Sequence, residues 1–195
     1  MLALLATLAG CATMDEGDAL TPGTRAGRPS LDEVAARLPS DIAGFKRDTV
    51  TEYEGRQPGY GIAIGYGRDA LDAIGTVFLY DRGLGAVPSD PQAPQLAAEF
   101  ERLMGEILAS PNGRTVRNLR ERSRFDLAVP NGRALRCVEL VAEMSQENIR
   151  RTICVGGAAG HFLQTQITIA ESNAAPADPR AFAMAAAQAA RIPLR

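Results

Sequence analysis

Alternating apolar and polar positions predict β-strands in the first half of the chain. The clearest run, Tyr60 to Gly67, alternates large apolar residues with glycine and alanine. Its face of small residues predicts the close approach of a packed helix or, alternatively, of a ligand. A second strand covers Ile74 to Asp81, and apolar residues on both of its faces place it inside a sheet. A weaker alternation predicts another strand over Lys46 to Glu54.

Capping residues predict a short helix at the start of the folded region and another helix at the end of the chain. Ser30 and Glu33 have the spacing of a capping box, and Pro39 ends the helix that they start. Asp178 followed by Pro179 predicts the start of a terminal alanine-rich helix.

A long helix lies between the two groups of strands. It is predicted to start at Asp90 and Pro91, as N-cap and first helical residue. Apolar residues repeat at helical spacing along one face, and charged residues are predicted to point outward. The apolar residues are Leu96, Phe100, Leu103 and Ile107, and the outward residues are Glu99, Arg102 and Glu106.

The second half of the chain predicts sequential strands joined by turns. Asn131-Gly132 is a strong hairpin signal, and a further turn is predicted near residues 145–148. Gly156 to Gly160 is predicted as a flexible loop. The strands are Thr115 to Arg124 with a continuation to Val129, Arg133 to Met144, Arg150 to Val155, and His161 to Ala170.

These elements predict an α+β fold. Sequential hairpins favour one antiparallel sheet, here of about six to seven strands, with one long central helix and terminal helices packed on it. The order of helix, three strands, long helix, four strands and helix resembles the PsbP/Mog1-like fold. Since no motif accompanies the element order, the resemblance concerns shape and implies no function.

Composition excludes several classes of protein. A net charge of −2 gives no electrostatic footprint for nucleic acid. The chain has one histidine and neither an H-x-x-x-H nor a C-x-x-C spacing, so no metal site is predicted. The Gly65-x-Gly67 and Gly83-x-Gly85 pairs do not complete a phosphate-binding loop, and no cofactor is predicted.

The first eleven residues carry the most specific signal in the chain. Residues 2–9 form an uncharged apolar run, too short to span a bilayer, and small residues precede Cys11. The sequence Leu8-Ala9-Gly10-Cys11 resembles the lipobox of bacterial lipoprotein precursors. The alternative is a buried N-terminal strand or helix with a chance cysteine.

The lipoprotein resemblance implies a processing route and a location. Residues 1–10 would be removed as a signal peptide and Cys11 would be acylated, which anchors the protein stably to a membrane. In enterobacterial lipoproteins, an Asp directly after the cysteine favours retention in the inner membrane. Ala12 and Thr13 follow the cysteine here, so the resemblance implies the outer membrane. We expect residues 11–29 to form a lipidated N-terminus and flexible tether, because they have no apolar period, and residues 30–195 to form one globular domain.

Two further cysteines, Cys137 and Cys154, predict a disulfide in an exported protein. A hairpin turn centred between Ser145 and Gln146 places them directly opposite each other. The same register pairs Val138 with Ile153 on the other face. The alternative is a pair of reduced cysteines packed as small apolar residues.

Four residues are candidates for a pocket: His161, Tyr60, Tyr66 and Tyr80. His161 follows a glycine-rich segment and could lie at a pocket rim, or it could be a strand-end residue without a chemical role. No G-x-S-x-G motif supplies a nucleophile for it, so no catalytic residue is predicted.

A cluster of arginines makes the middle of the chain locally basic. Its central members are Arg117, Arg120, Arg122 and Arg124. One interpretation is a patch that binds an anionic partner, and the other is the solvated face of an edge hairpin.

Together these patterns predict a lipid-anchored protein of the bacterial cell envelope that faces the periplasm and is not an enzyme. The anchor would hold it to membrane lipid, and its domain would bind an envelope protein or a small ligand or take part in envelope assembly. The alternative is a periplasmic hydrolase with a site assembled in space near His161.

Overall fold

A computed structural model describes residues 27–109, 116–144 and 147–191. The predictions for Cys11, for most of the tether and for the turn at residues 145–146 lie outside the described residues. The described chain is α+β, as predicted. Its α-helices are α1 (Leu31–Arg37), α2 (Pro94–Ala109), α3 (Ala174–Ala177) and α4 (Pro179–Arg191).

All described strands belong to one antiparallel sheet of eight strands in the order β1-β2-β3-β4-β8-β7-β6-β5. The predicted number of six to seven strands is wrong, because residues 41–42 pair back onto β2 across a tight turn with positive φ at Ala43 and Gly44. The strands are β1 (Asp41–Ile42), β2 (Phe45–Glu52), β3 (Ile62–Arg68), β4 (Ala73–Tyr80), β5 (Val116–Leu127), β6 (Leu135–Met144), β7 (Asn148–Ala158) and β8 (His161–Ala170).

The helices pack on both faces of the sheet. One core lies under α1 and α4, where Phe182 makes edge-to-face contacts with Phe45 and Tyr66. A second, smaller core lies under α2, where Leu96 and Phe100 pack with residues of β4, β6, β7 and β8. Alternation along each strand therefore supplies two cores, because successive side chains point to opposite faces.

The predicted hairpin register and disulfide are both confirmed. Cys137 lies opposite Cys154, Val138 lies opposite Ile153, and the two sulfur atoms are bonded. Val138 and Ile153 belong to the core under α2, whereas the disulfide is buried under α4. The cysteines are thus part of the core under α1 and α4.

Two boundaries differ from the predictions by more than two residues. Helix α2 begins at Pro94, because the backbone carbonyl of Asp90 closes a separate turn with Ala93 and the second proline takes the first helical position. The prediction of a flexible loop at residues 156–160 is wrong, because strand β7 continues to Ala158. The strand can continue past the backbone of Pro88 because residue 157 is a glycine. A Cβ at this position would lie only 2.1 Å from the backbone oxygen of Pro88.

The sheet has two ends with different contents. The near end is the one at which the described chain begins; it holds the loops at residues 53–61, 81–93 and 128–134 and the turn at 159–160. The far end holds the turns at 69–72 and 171–173 and the start of β7. Strands of about ten residues separate the two ends by roughly 30 Å. Within the described ranges, no helix has both the length and the apolar character needed to cross a membrane.

Candidate functional site

The near end fixes the point at which the chain enters the domain. Arg28 Nη2 lies 2.7 Å from the carboxylate of Asp81, and Arg28 Nη1 donates to the carbonyl oxygen of Gly160. His161 Nε2 lies 2.8 Å from the carbonyl oxygen of Pro29; a carbonyl only accepts, so Nε2 donates this hydrogen bond. The packed part of the chain therefore includes Arg28 and Pro29.

The four predicted pocket residues do not meet in one pocket. His161 is only 1% exposed and lies under the N-terminal segment. Tyr66 lies in the core under α4, where its hydroxyl donates to the carbonyl oxygen of Pro39. Tyr60 and Tyr80 do come together, because the guanidinium of Arg82 stacks on both rings, 4.4 and 4.9 Å from their centroids.

Tyr80 joins the sheet to α2 through a buried carboxylate. Its hydroxyl donates to Glu99 Oε1 at 2.7 Å, and Arg102 donates to both carboxylate oxygens of Glu99. Burial and the adjacent charge of Glu99 raise the pKa of Tyr80 well above its usual value. Burial alone would raise the pKa of Glu99, but the hydrogen bonds from Arg102 and Tyr80 outweigh it and lower the pKa. Tyr80 is therefore protonated and Glu99 ionised at neutral pH.

The prediction that Glu99 points outward is wrong, since the residue is buried. Glu99 follows Leu96 by three positions and precedes Leu103 by four, so it lies on the apolar stripe of α2. The spacing in the sequence thus indicates a buried position for Glu99, although its charge alone suggests an exposed one. A carboxylate on an apolar stripe requires partners, which Tyr80 and Arg102 supply.

The far end carries a polar cavity of about 290 Å³ on the face that also holds α4. It lies beyond the helix, among β5, β6, the start of β7 and the turn after β8. Arg120 pairs with Val141, and Glu143 pairs with Asn148, so the sheet register brings the three strands together here. The lining residues are Asn118, Arg120, Arg122, Val141, Ala142, Glu143, Asn148 and Glu171.

Four charged residues, of which Arg122 and Glu171 line this cavity, form a closed ring of alternating sign. Arg122 contacts Glu139 at 3.4 Å and Glu171 at 3.2 Å, and Arg150 contacts the same two carboxylates at 3.6 and 3.2 Å. With Arg120 and Glu143 included, three positive charges face three negative charges. The cavity is therefore polar but close to neutral, which gives little long-range attraction for an anion.

The predicted basic patch is divided between the two faces of the sheet. A β-bulge between Glu121 and Ser123 changes the parity of β5, so that Arg120 and Arg124 point to opposite faces. Arg124 pairs with Glu101 on α2 and with Glu121, and these bonds raise its pKa. Arg122 is paired within the ring, and Arg120 is exposed. The side chain of Arg117 lies outside what the structure describes.

The face of small residues on β3 is approached by the neighbouring strand at Gly65. A Cβ at Gly65 would lie 2.4 Å from the hydroxyl of Thr49 on β2, and all three nearest atoms belong to Thr49. Glycine is therefore needed at position 65 because Thr49 of the neighbouring strand lies close to it, and not because a helix or a ligand packs there. No group of three or more His, Cys, Asp and Glu suited to a metal ion occurs among the described residues.

Comparisons with known proteins concern the fold alone. No protein-family model and no curated protein matches the chain. A protein of unknown function from Pseudomonas aeruginosa is 12% identical over 63% of this chain and 74% of its own, with a TM-score of 0.39. The cyanobacterial PsbP (CyanoP) from Synechocystis is 13% identical over 75% of this chain and 92% of its own, with a TM-score of 0.47. The second of these is a PsbP protein, and PsbP gives its name to the fold that the element order resembles.

Proposed function

We propose that the protein is a lipid-anchored, periplasm-facing component of the bacterial cell envelope, whose domain binds a partner or a small ligand without catalysis. One arrangement carries the proposal: the chain enters the domain at the near end, at Arg28 and Pro29, whereas the polar cavity lies at the far end. An acylated Cys11 would then hold the near end toward the membrane. The cavity would face away from the lipid, where a partner can reach it.

The length of chain before the domain is compatible with this orientation. Sixteen peptide units separate Cys11 from Gly27, and they span at most roughly 55 Å when fully extended. The domain would therefore remain within a few tens of ångströms of the membrane surface. Two or more acyl chains would keep it there without a spanning helix. Ala12 and Thr13 after the cysteine favour the outer membrane in our proposal.

The chemistry of the cavity supports binding through hydrogen bonds. Asn118 and Asn148 supply side-chain amides, and Arg120 supplies an exposed guanidinium. The charged residues of the ring are already paired with one another, which reduces their attraction for a counter-ion. The occupant that suits this lining is a polar group of low net charge, such as a peptide segment or a sugar.

The hydrolase alternative has no support at His161. A general base must reach its substrate within hydrogen-bond distance or through one water molecule. The side chain of His161 is buried, and its Nε2 atom is engaged with the carbonyl oxygen of Pro29. Tyr80, the other titratable candidate, is held protonated by burial and by Glu99.

The anchor is tested by the Cys11→Ser variant of the full chain. We expect wild-type protein to incorporate labelled palmitate and to sediment with membranes, and the variant to do neither. Cys137→Ala together with Cys154→Ala is the matched control, since it removes the other two cysteines, which form the disulfide, but retains Cys11. Palmitate incorporation that survives in Cys11→Ser would refute the anchor.

The binding surface is tested by photocrosslinking in intact cells. A photoreactive amino acid is introduced at Asn148 in the far-end cavity and, as a control, at the exposed Gln92 at the near end. We expect a discrete adduct from the Asn148 position that Arg120→Ser weakens. Equal labelling from both positions, or adducts from Gln92 alone, would contradict a far-end binding surface.

A further inference from the structure

Two loops at the near end bring together three exposed apolar side chains. Tyr53 and Tyr60 belong to the loop at residues 53–61, and Leu84 belongs to the loop at 81–93; they are 38%, 47% and 38% exposed. The loops adjoin, because the amide of Arg82 donates to the carbonyl oxygen of Gly59 at 2.8 Å. Together the three side chains form what we call the near-end apolar surface.

The charges of the same loops favour contact with an anionic layer. Glu54, the one acidic residue of the first loop, turns inward and accepts hydrogen bonds from the amides of Gly59 and Gly61. Of the two acidic residues of the second loop, Asp81 is buried against Arg28 and Asp90 is exposed. Of the basic residues, Arg56 is exposed, whereas Arg82 stacks on Tyr60 and is ion-paired with the buried carboxylate of Glu99.

The entering chain lies against this surface. Arg28 Nη1 is 3.3 Å from the carbonyl oxygen of Leu84, so the segment that connects to Cys11 leaves the domain beside Leu84. Any lipid attached to Cys11 is therefore tied to the end of the domain that exposes these apolar side chains.

We propose that the near-end apolar surface inserts shallowly into the headgroup region of the membrane, with Tyr60 and Leu84 as its contacts and the exposed Arg56 beside the lipid phosphates. This inference rests on the proposed lipid anchor. Tyrosine suits such an interface, because its ring is apolar and its hydroxyl remains hydrated. Arginine adjacent to it matches the negative surface potential of anionic lipids. The domain would then have a fixed orientation on the membrane.

The test uses the full, acylated chain in vesicles of phosphatidylethanolamine and phosphatidylglycerol. The protein contains no tryptophan, so Tyr60→Trp introduces a single fluorophore into the surface. Ile74→Trp is the matched control: Ile74 is 64% exposed and pairs with Gly67 and Thr168 toward the far end. The circular dichroism spectrum of each variant must first match that of the wild type, which shows that the variant is folded. If Tyr60→Trp misfolds, Leu84→Trp takes its place.

We expect brominated lipid chains to quench the indole of Tyr60→Trp about threefold or more than that of Ile74→Trp, because only the first reaches the interface. Equal quenching in protein that floats with the vesicles would overturn the surface and leave the anchor intact. Protein that does not float would overturn the anchor and the inference with it. Protection of Tyr60→Trp from acrylamide without quenching by brominated chains would assign the surface to a second copy of the chain and overturn the proposal.

Discussion

Arg28 and Asp81 form an ion pair across 53 residues of sequence, with both side chains about nine-tenths buried or more. Asp81 also accepts a hydrogen bond from the amide of Gly83. The pair therefore ties the first described residues to the end of β4.

Removal of Arg28 is expected to destabilise the domain. Arg28→Met leaves the carboxylate of Asp81 buried without its cation, which costs about 3 kcal/mol in the free energy of unfolding. Urea denaturation measures the loss, and Arg56→Met, at an exposed arginine, is the control. For the same reason a chain that begins at Ser30 should melt below one that begins at Gly27. Equal melting of the two chains would show that the domain starts at Ser30, as the sequence predicts.

Glu99 makes the stability of the domain depend on acid pH. Its pKa is lower in the folded chain than the ordinary value of 4.5, so its contribution is complete above that value and is lost as the pH falls below it. We expect the unfolding free energy of the wild type to fall more steeply than that of Glu99→Gln between about pH 5 and pH 3. Glu101→Gln, at an exposed position on the same helix, should retain the wild-type slope. Parallel curves for wild type and Glu99→Gln would contradict this assignment.

Gly61 is required by a close approach of backbone. Its φ is +64°, and a Cβ would lie 1.9 Å from the carbonyl oxygen of Leu79. Gly61→Ala should therefore cost about 3 kcal/mol or more in thermal or urea unfolding, because strain and steric overlap add. Gly55→Ala, in open space within the same loop, should change stability by less than about 0.5 kcal/mol. Similar effects of the two substitutions would mean that the loop relaxes freely around Leu79.

The disulfide should stabilise the domain by about 3 kcal/mol at most, because Cys137 and Cys154 are separated by only 17 positions. The comparison is between wild type and the double variant Cys137→Ala, Cys154→Ala in urea unfolding. Non-reducing mass spectrometry of the wild type should find no free thiol at either position. Two free thiols in protein protected from air would contradict the bond.

The sequence alone predicts the local elements of this fold well, because their signals are local. The capping box at Ser30 and the cap at Asp178 both form, with Glu33 and Ala181 as partners. The pairing of Cys137 with Cys154 follows from the position of the hairpin turn. Side chains alternate between the two faces of a strand, so few other registers keep the apolar residues on one face. These predictions needed no knowledge of which strands lie side by side.

The errors arose where distant parts of the chain meet. A charge on the stripe of α2 is read as exposed unless its partner is known, and Tyr80, the partner of Glu99, lies 19 residues away on β4. The bulge in β5 breaks the alternation that the arginines suggest, and no residue in its sequence marks it. The contact between His161 and Pro29 joins positions 132 apart. Such pairings depend on topology, which residue patterns do not encode locally.

The pairing of β4 with β8 sets the order in which the protein can fold. Ile74 to Tyr80 bond to Phe162 to Thr168, and Phe182 completes the core around Phe45 and Tyr66. The first half of the chain therefore cannot complete its core before β8 and α4 have been synthesised, and contacts of such long sequence separation form slowly. A ribosome-bound chain that ends before α4 should remain sensitive to protease, because Phe182 is then missing from the core around Phe45 and Tyr66.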